Sequence, residues 1–218
     1  QTPVAPIVVQ AGGVFRNAAG WFNGLGPITL RGGTLQALAA HSSGYSFPLK
    51  GKVTVDGGAT TSRLTGPGIA LGSSSVTEAT FEVLDGAATD DLLVEGSLLD
   101  GPANIFLQPQ ASGLRKTGAG RMTLTANNTY SGTTTIEAGR LQVGTGGTTG
   151  SLGSGPVVNN ATLAWNRSDA ITVAGVISGS GSIAHEGGGR LTLTAANTYS
   201  GATTVSAGTL ALSGSGAL

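Results

Sequence analysis

The residues best suited to chemistry are few. His41 and His185 are the two histidines of the chain. His41 lies in the short polar stretch HSSGYS, close to Ser46 and ahead of Asp56, so a Ser-His-Asp set can be written from the residues alone. Such a triad needs three groups in mutual contact, and no G-x-S-x-G elbow accompanies these. His185 stands where Lys116 stands in a similar earlier segment, and a position shared with lysine reads as a solvated corner. Carboxylates form the one dense cluster: Glu78, Glu82, Asp85, Asp90, Asp91, Glu95 and Asp100, with no Lys or Arg between Arg63 and Arg115. Clustered carboxylates suit a calcium site or the acid/base pair of a sugar-cleaving enzyme. Asp90 and Asp91 are neighbours, so in a strand they point to opposite faces. The acids are therefore expected on solvated corners and outer strand faces, with no catalytic residue, no metal site and no cofactor.

Composition narrows the classes further. The chain has 218 residues, a formal net charge of zero and no cysteine. Zero net charge argues against a nucleic-acid partner, which needs a basic stripe. Without cysteine there is no disulfide, thiolate metal site or cysteine nucleophile. No apolar run reaches the roughly 18 to 20 residues of a membrane-crossing helix. The start, QTPVAPIVVQ, lacks a basic stretch followed by an apolar core, so no secretion signal is read there. The aromatics Trp21, Phe22, Tyr45, Phe47 and Trp165 are dispersed, which favours core filling or capping over a sugar-stacking platform. Trp21 and Phe22 are placed to cover a first coil.

The elements that hold these residues are short. There are 38 glycines, yet apolar residues reach 39%, too many for a disordered chain. The glycines fall between Val, Ile, Leu and Thr runs, as tight corners between strands do. A strand-corner-strand unit recurs around Val9, Leu30, Val55, Leu84, Ile136, Val158 and Val205, with further coils sought near Ile105 and Ile177. The spacing of roughly 21 to 29 residues fits a solenoid with three short strands per turn. About nine coils would make a rod on the order of 43 Å long. A sandwich or up-and-down barrel needs no such period.

Within that pattern one segment returns almost unchanged: LRKTGAGRMTLTANNTYSGTTTIEAGRLQV from Leu114, and IAHEGGGRLTLTAANTYSGATTVSAGTLAL from Ile183. Alternation puts Met122, Leu124, Thr134, Ile136, Leu141 and Val143 inward, and Thr123 and Thr125 outward. Stacking like over like predicts that Leu124 shares a column with Leu193, and Ile136 with Val205. It also puts Asn128 and Asn197 in one corner column, their amides bonding along the stack.

The two segments resemble the passenger-associated transport repeat of autotransporter passenger domains. The resemblance rests on Gly118, Gly120, Leu124, Asn128, Tyr130, Gly132, Thr134, Ile136, Gly139 and Leu141. It rests equally on Gly187, Gly189, Leu193, Asn197, Tyr199, Gly201, Thr203, Val205, Gly208 and Leu210. It implies an all-β, right-handed parallel β-helix (solenoid), outside the cell or on the surface of a Gram-negative bacterium. Residues 1–113 are expected to form coils without the repeat signature, and 114–218 coils carrying it at 114–144 and 183–213.

The expected function is that of a non-enzymatic structural or adhesive solenoid. It would act as a surface scaffold, or as a head-to-tail stacking subunit of a filament or biofilm matrix, since TVSAGTLALSGSGAL shows no cap. Its partners would be further copies of the chain or a host or matrix glycan or protein surface. The alternatives are a glycan-binding module and a polysaccharide lyase or hydrolase. Residues 1–75 are basic, 76–113 acidic and the remainder mildly basic, so an acidic middle is expected to pair with a basic end of another rod.

Overall fold

The computed structural model describes residues 6–17, 25–38, 47–73, 75–102 and 109–218. Among these there is no helix. The strands are two to six residues long and broken by glycine corners, which leaves no helical period.

The strands follow in chain order. They are β1 (Ile7–Gln10), β2 (Val14–Asn17), β3 (Ile28–Arg31), β4 (Thr34–Ala37), β5 (Phe47–Leu49), β6 (Val53–Val55), β7 (Ser62–Thr65) and β8 (Ile69–Leu71). Next come β9 (Glu78–Val83), β10 (Leu92–Val94), β11 (Leu98–Pro102), β12 (Pro109–Gln110), β13 (Gly113–Thr117), β14 (Arg121–Leu124), β15 (Thr134–Ile136) and β16 (Arg140–Val143). The last are β17 (Val157–Asn159), β18 (Thr162–Trp165), β19 (Ile171–Val173), β20 (Ile177–Ser178), β21 (Ser182–His185), β22 (Arg190–Leu193), β23 (Thr203–Val205) and β24 (Thr209–Leu212).

Three faces emerge from their pairing. The first is an eight-stranded sheet, β1-β3-β6-β9-β13-β15-β17-β20. The second has nine strands, β2-β4-β7-β10-β14-β16-β18-β21-β23. The third is split into β5-β8-β11, with β12 at its edge, and β19-β22-β24. Every strand pair is parallel except β11 with β12. The chain is therefore a parallel β-helix, as expected.

Alternation then fills the inside. On the second face Leu35, Leu64, Val94, Leu124, Val143, Trp165, His185 and Val205 form one continuous column. On the first face Ile28, Val53, Phe81, Lys116, Ile136 and Asn159 form another. Phe47 and Trp165 are core residues, so neither belongs to a surface platform. Trp21, Phe22, His41, Tyr45, Ser46 and Ile105 lie outside the described residues.

Several expectations are corrected. Leu193 lies on the third face beside Val173 and Leu212, not in the column of Leu124. Val205 joins Leu124's column and not that of Ile136. The cause is coil length. Leu114 pairs with Thr134, Thr134 with Val157 and Val157 with Ile177, steps of 20, 23 and 20 residues. The distance between the two copies is thus three turns plus one face. In the middle of the chain the step lengthens, with 35 residues between Phe81 and Lys116. Part of that excess lies around β12, which pairs antiparallel with β11 at the edge of the third face. Thr123 is also buried rather than water-facing, because its outward hydroxyl donates to Asp90.

Candidate functional site

The repeated residues build corners and the columns between them. In the first copy Leu124 and Leu141 face inward on the second face, and Thr134 and Ile136 on the first. In the second copy Leu193 and Leu210 are on the third face, and Thr203 and Val205 on the second. Gly118, Gly120, Gly132, Gly187, Gly189 and Gly201 sit at corners pressed onto the main chain of the preceding coil. Gly139 shows the requirement most clearly. Its φ is 69°, and a Cβ there would stand 2.5 Å from the Gly120 carbonyl oxygen. Gly208 repeats this over Gly189, with φ 68°.

Asn128 and Asn197 are both buried, but on different faces. Asn128 accepts from the Leu98 N–H on the third face, and Asn197 from the Ile177 N–H on the first. The expectation of a shared corner column fails for the same reason as the leucine column. Tyr130 and Thr134 hydroxyls are 2.7 Å apart, and Tyr199 and Thr203 repeat that spacing.

Lys116 and His185 overturn the reading of a solvated corner. Both are buried. Strand parity from Leu114 turns Lys116 inward, where the corner carbonyls converge. Its Nζ donates to the carbonyls of Thr117 (3.0 Å), Gly118 (2.7 Å) and Ala138 (3.1 Å). Burial draws its pKa down from 10.5 to about 8, against the charge of nearby Asp91. His185 Nε2 lies 3.0 Å from the Gly189 carbonyl, and its Nδ1 is buried without a partner. Neither side chain reaches solvent, so neither is placed to act on a substrate.

The acidic cluster is explained by stacking. Its coil lies between two basic coils, and the charges meet across the rungs. Glu82 pairs with Lys52 at 2.6 Å, and Glu95 with Arg63 at 2.8 Å, toward the coil below. Glu78 lies 3.7 Å from Arg115, and Asp90 3.2 Å from Arg121 Nε, toward the coil above. The Lys52 hydrogen bond holds the Glu82 carboxyl below its ordinary pKa. Arg115 continues the ladder to Glu137, and Arg31 pairs with Asp56 at 2.9 Å. Asp91 accepts from the Arg121 N–H, and Asp100 from the N–H groups of Ser112 and Ser131. Asp85 is exposed. The plus, minus, plus order is thus matched by ion pairs within one chain. Among the described residues no group of three or more His, Cys, Asp or Glu is placed to hold a metal ion.

A cleft of about 230 Å³ opens on the third face where its ladder is interrupted, between Gly150–Gly155 and Ile171–Gly175. Its charged residue, Arg167, is already committed. Nε and Nη2 donate to Asp169 at 2.8 and 2.6 Å, Nη1 to the Gly150 carbonyl and Nη2 to that of Thr148. This guanidinium fastens the exposed loop 145–149 to the rod and offers the cleft no free charge. Neither Arg167 nor the inward turn of Lys116 was anticipated. Strand parity signals the second; no sequence pattern marks the first.

Residues 114–143 and 186–212 match the passenger-associated-transport-repeat family. Two segments of the chain thus match this repeat. Over 98 residues it is 42% identical to the adhesin BmaC autotransporter of Brucella suis biovar 1 (strain 1330). The matched stretch is 45% of this chain and 3% of that protein. Both matches bear out the resemblance to autotransporter passenger domains. No solved structure matches the chain. Both matched segments lie wholly within the described coils; the first spans four strands, the second three, and each includes its asparagine corner.

Proposed function

We propose that this chain is a segment of an extracellular, non-enzymatic adhesive passenger at the surface of a Gram-negative bacterium. Its 42% identity over 98 residues with an autotransporter adhesin carries this reading. The fold supports it. Short strands stacked into sheets on three sides make a stiff rod whose outer faces are available for contact. Six of the seven carboxylates that suggested sugar cleavage are engaged in ion pairs or main-chain hydrogen bonds. The partner class is a host or matrix glycan or protein surface.

Beads coated with the chain test this on host cells and immobilised matrix. Retention above that of beads carrying an unrelated β-solenoid is expected, and equal retention overturns the adhesive role. Incubation with acidic polysaccharides tests the non-enzymatic part. Product release that disappears in Asp90→Asn would overturn it.

A second reading is end-to-end stacking into a filament or matrix element. Each rung of a parallel ladder offers main-chain donors and acceptors at its edge, the groups that such stacking would pair. Electron microscopy at high concentration decides: filaments support stacking, and uniform short rods reject it.

A further inference from the structure

Each copy of the repeat ties three successive coils through one asparagine. Asn128 Oδ1 accepts from the Leu98 N–H in the coil below at 2.8 Å, and Nδ2 donates to the Ser151 carbonyl in the coil above at 2.5 Å. Asn197 makes the same two bonds, from the Ile177 N–H at 2.9 Å and to the Ala217 carbonyl at 2.8 Å. Leu98 belongs to the third face and Ile177 to the first. The bonding pattern is therefore kept while the face changes.

All four partners are main-chain groups. Any coil of a parallel ladder presents such groups on every face, whatever its side chains. An asparagine amide, with one acceptor and one donor end, matches an N–H below and a carbonyl above. The following corner is closed the same way in both copies by the Tyr130–Thr134 and Tyr199–Thr203 hydroxyl pairs. We propose that the repeat is a face-independent tying unit, which locks the coil before it and the coil after it on whichever face it falls. The proposal is independent of what the rod adheres to.

Exchanging copies tests it. Residues 114–143 of the full chain are replaced by the sequence of 183–212, which is equally long and places the second copy on the first copy's faces. The exchanged protein is expected to unfold cooperatively, with a midpoint within about 4 °C of the parent. Its Leu98 amide is expected to keep its protection against hydrogen exchange. Loss of cooperative folding, or a Leu98 amide exchanging more than about tenfold faster, would mean that the unit is tuned to one face.

Single substitutions test the tie itself. Asn128→Ala is expected to speed exchange at Leu98 by about tenfold, and Asn197→Ala to do so at Ile177. Asn127→Ala, at the exposed neighbour whose Oδ1 lies 3.2 Å from the Gly150 N–H, is expected to leave both amides unchanged. Unchanged exchange at Leu98 or Ile177 in the matching variant overturns the proposal.

Discussion

Lys116 and His185 hold the same position in the two repeats and are both closed off from water, Lys116 beside Ile136 and His185 beside Trp165. The relationship follows from the corner. Tight glycine turns aim several carbonyls at the inner end of the strand, and a donor is needed there. Lysine supplies three N–H groups and histidine supplies one. The two copies solve one problem with different residues.

Stability is expected to rise with pH above about 8. Lys116 keeps its ordinary pKa near 10.5 when unfolded, but its folded value is about 8. Between these values the unfolded chain binds more protons, so raising the pH favours the fold. One proton sets the ceiling, about 1.4 kcal/mol per pH unit. Above pH 10 burial keeps the raised-pKa Tyr130 phenol neutral only in the folded state, which acts in the opposite sense. Urea unfolding from pH 8 to 10 should therefore show a steeper rise for the parent than for Lys116→Met. Parallel curves would mean that Lys116 is not the titrating group.

Gly139→Ala should destabilise the rod by about 2 kcal/mol or more. The new methyl meets the Gly120 carbonyl oxygen at 2.5 Å, and the backbone φ of 69° disfavours any side chain. Gly147→Ala is the comparison, since a Cβ there has nothing within 4 Å, and its effect should stay within about 0.5 kcal/mol. Thermal unfolding of the two variants reads the difference.

Tyr130→Phe should cost about 1 kcal/mol, because the Thr134 hydroxyl stays buried without its partner. Thr134→Val should cost a similar amount. The double variant should cost less than the two together, since it leaves neither group unpaired. Strict additivity in chemical denaturation would show that the two hydroxyls do not interact.

Solution scattering should give the same particle size at low and high salt. Four acids of the cluster, Glu82, Glu95, Glu78 and Asp90, are paired with Lys52, Arg63, Arg115 and Arg121 of the same chain. Breaking one such exposed pair, as in Arg63→Gln, should change stability by less than about 1 kcal/mol. A particle that shrinks as salt is added would restore charge pairing between rods.

Much of this architecture is legible in the residues. Alternation identifies Leu124, Ile136, Leu141 and Val143 as inner residues, and recurring corners identify stacked coils. The face on which a copy falls is not legible. Likeness between two segments fixes their local shape but not the number of residues per turn, and 69 divides as readily into three turns of 23 as into three of about 20 with a face left over. Lys116 is misread because residue type and strand parity disagree there. Parity prevails, as the converging carbonyls give the ammonium acceptors inside. The charge blocks are visible along the chain, but only stacking reveals that their opposites are neighbours.

The offset of one face also decides what the outside world meets. Identical exposed side chains, such as Thr129 and Thr198, leave the shaft on different bearings and at different heights. A receptor that recognised this motif would find it around the circumference instead of along a single stripe. The rod would then present the same signature to more than one direction of approach, without bending or turning.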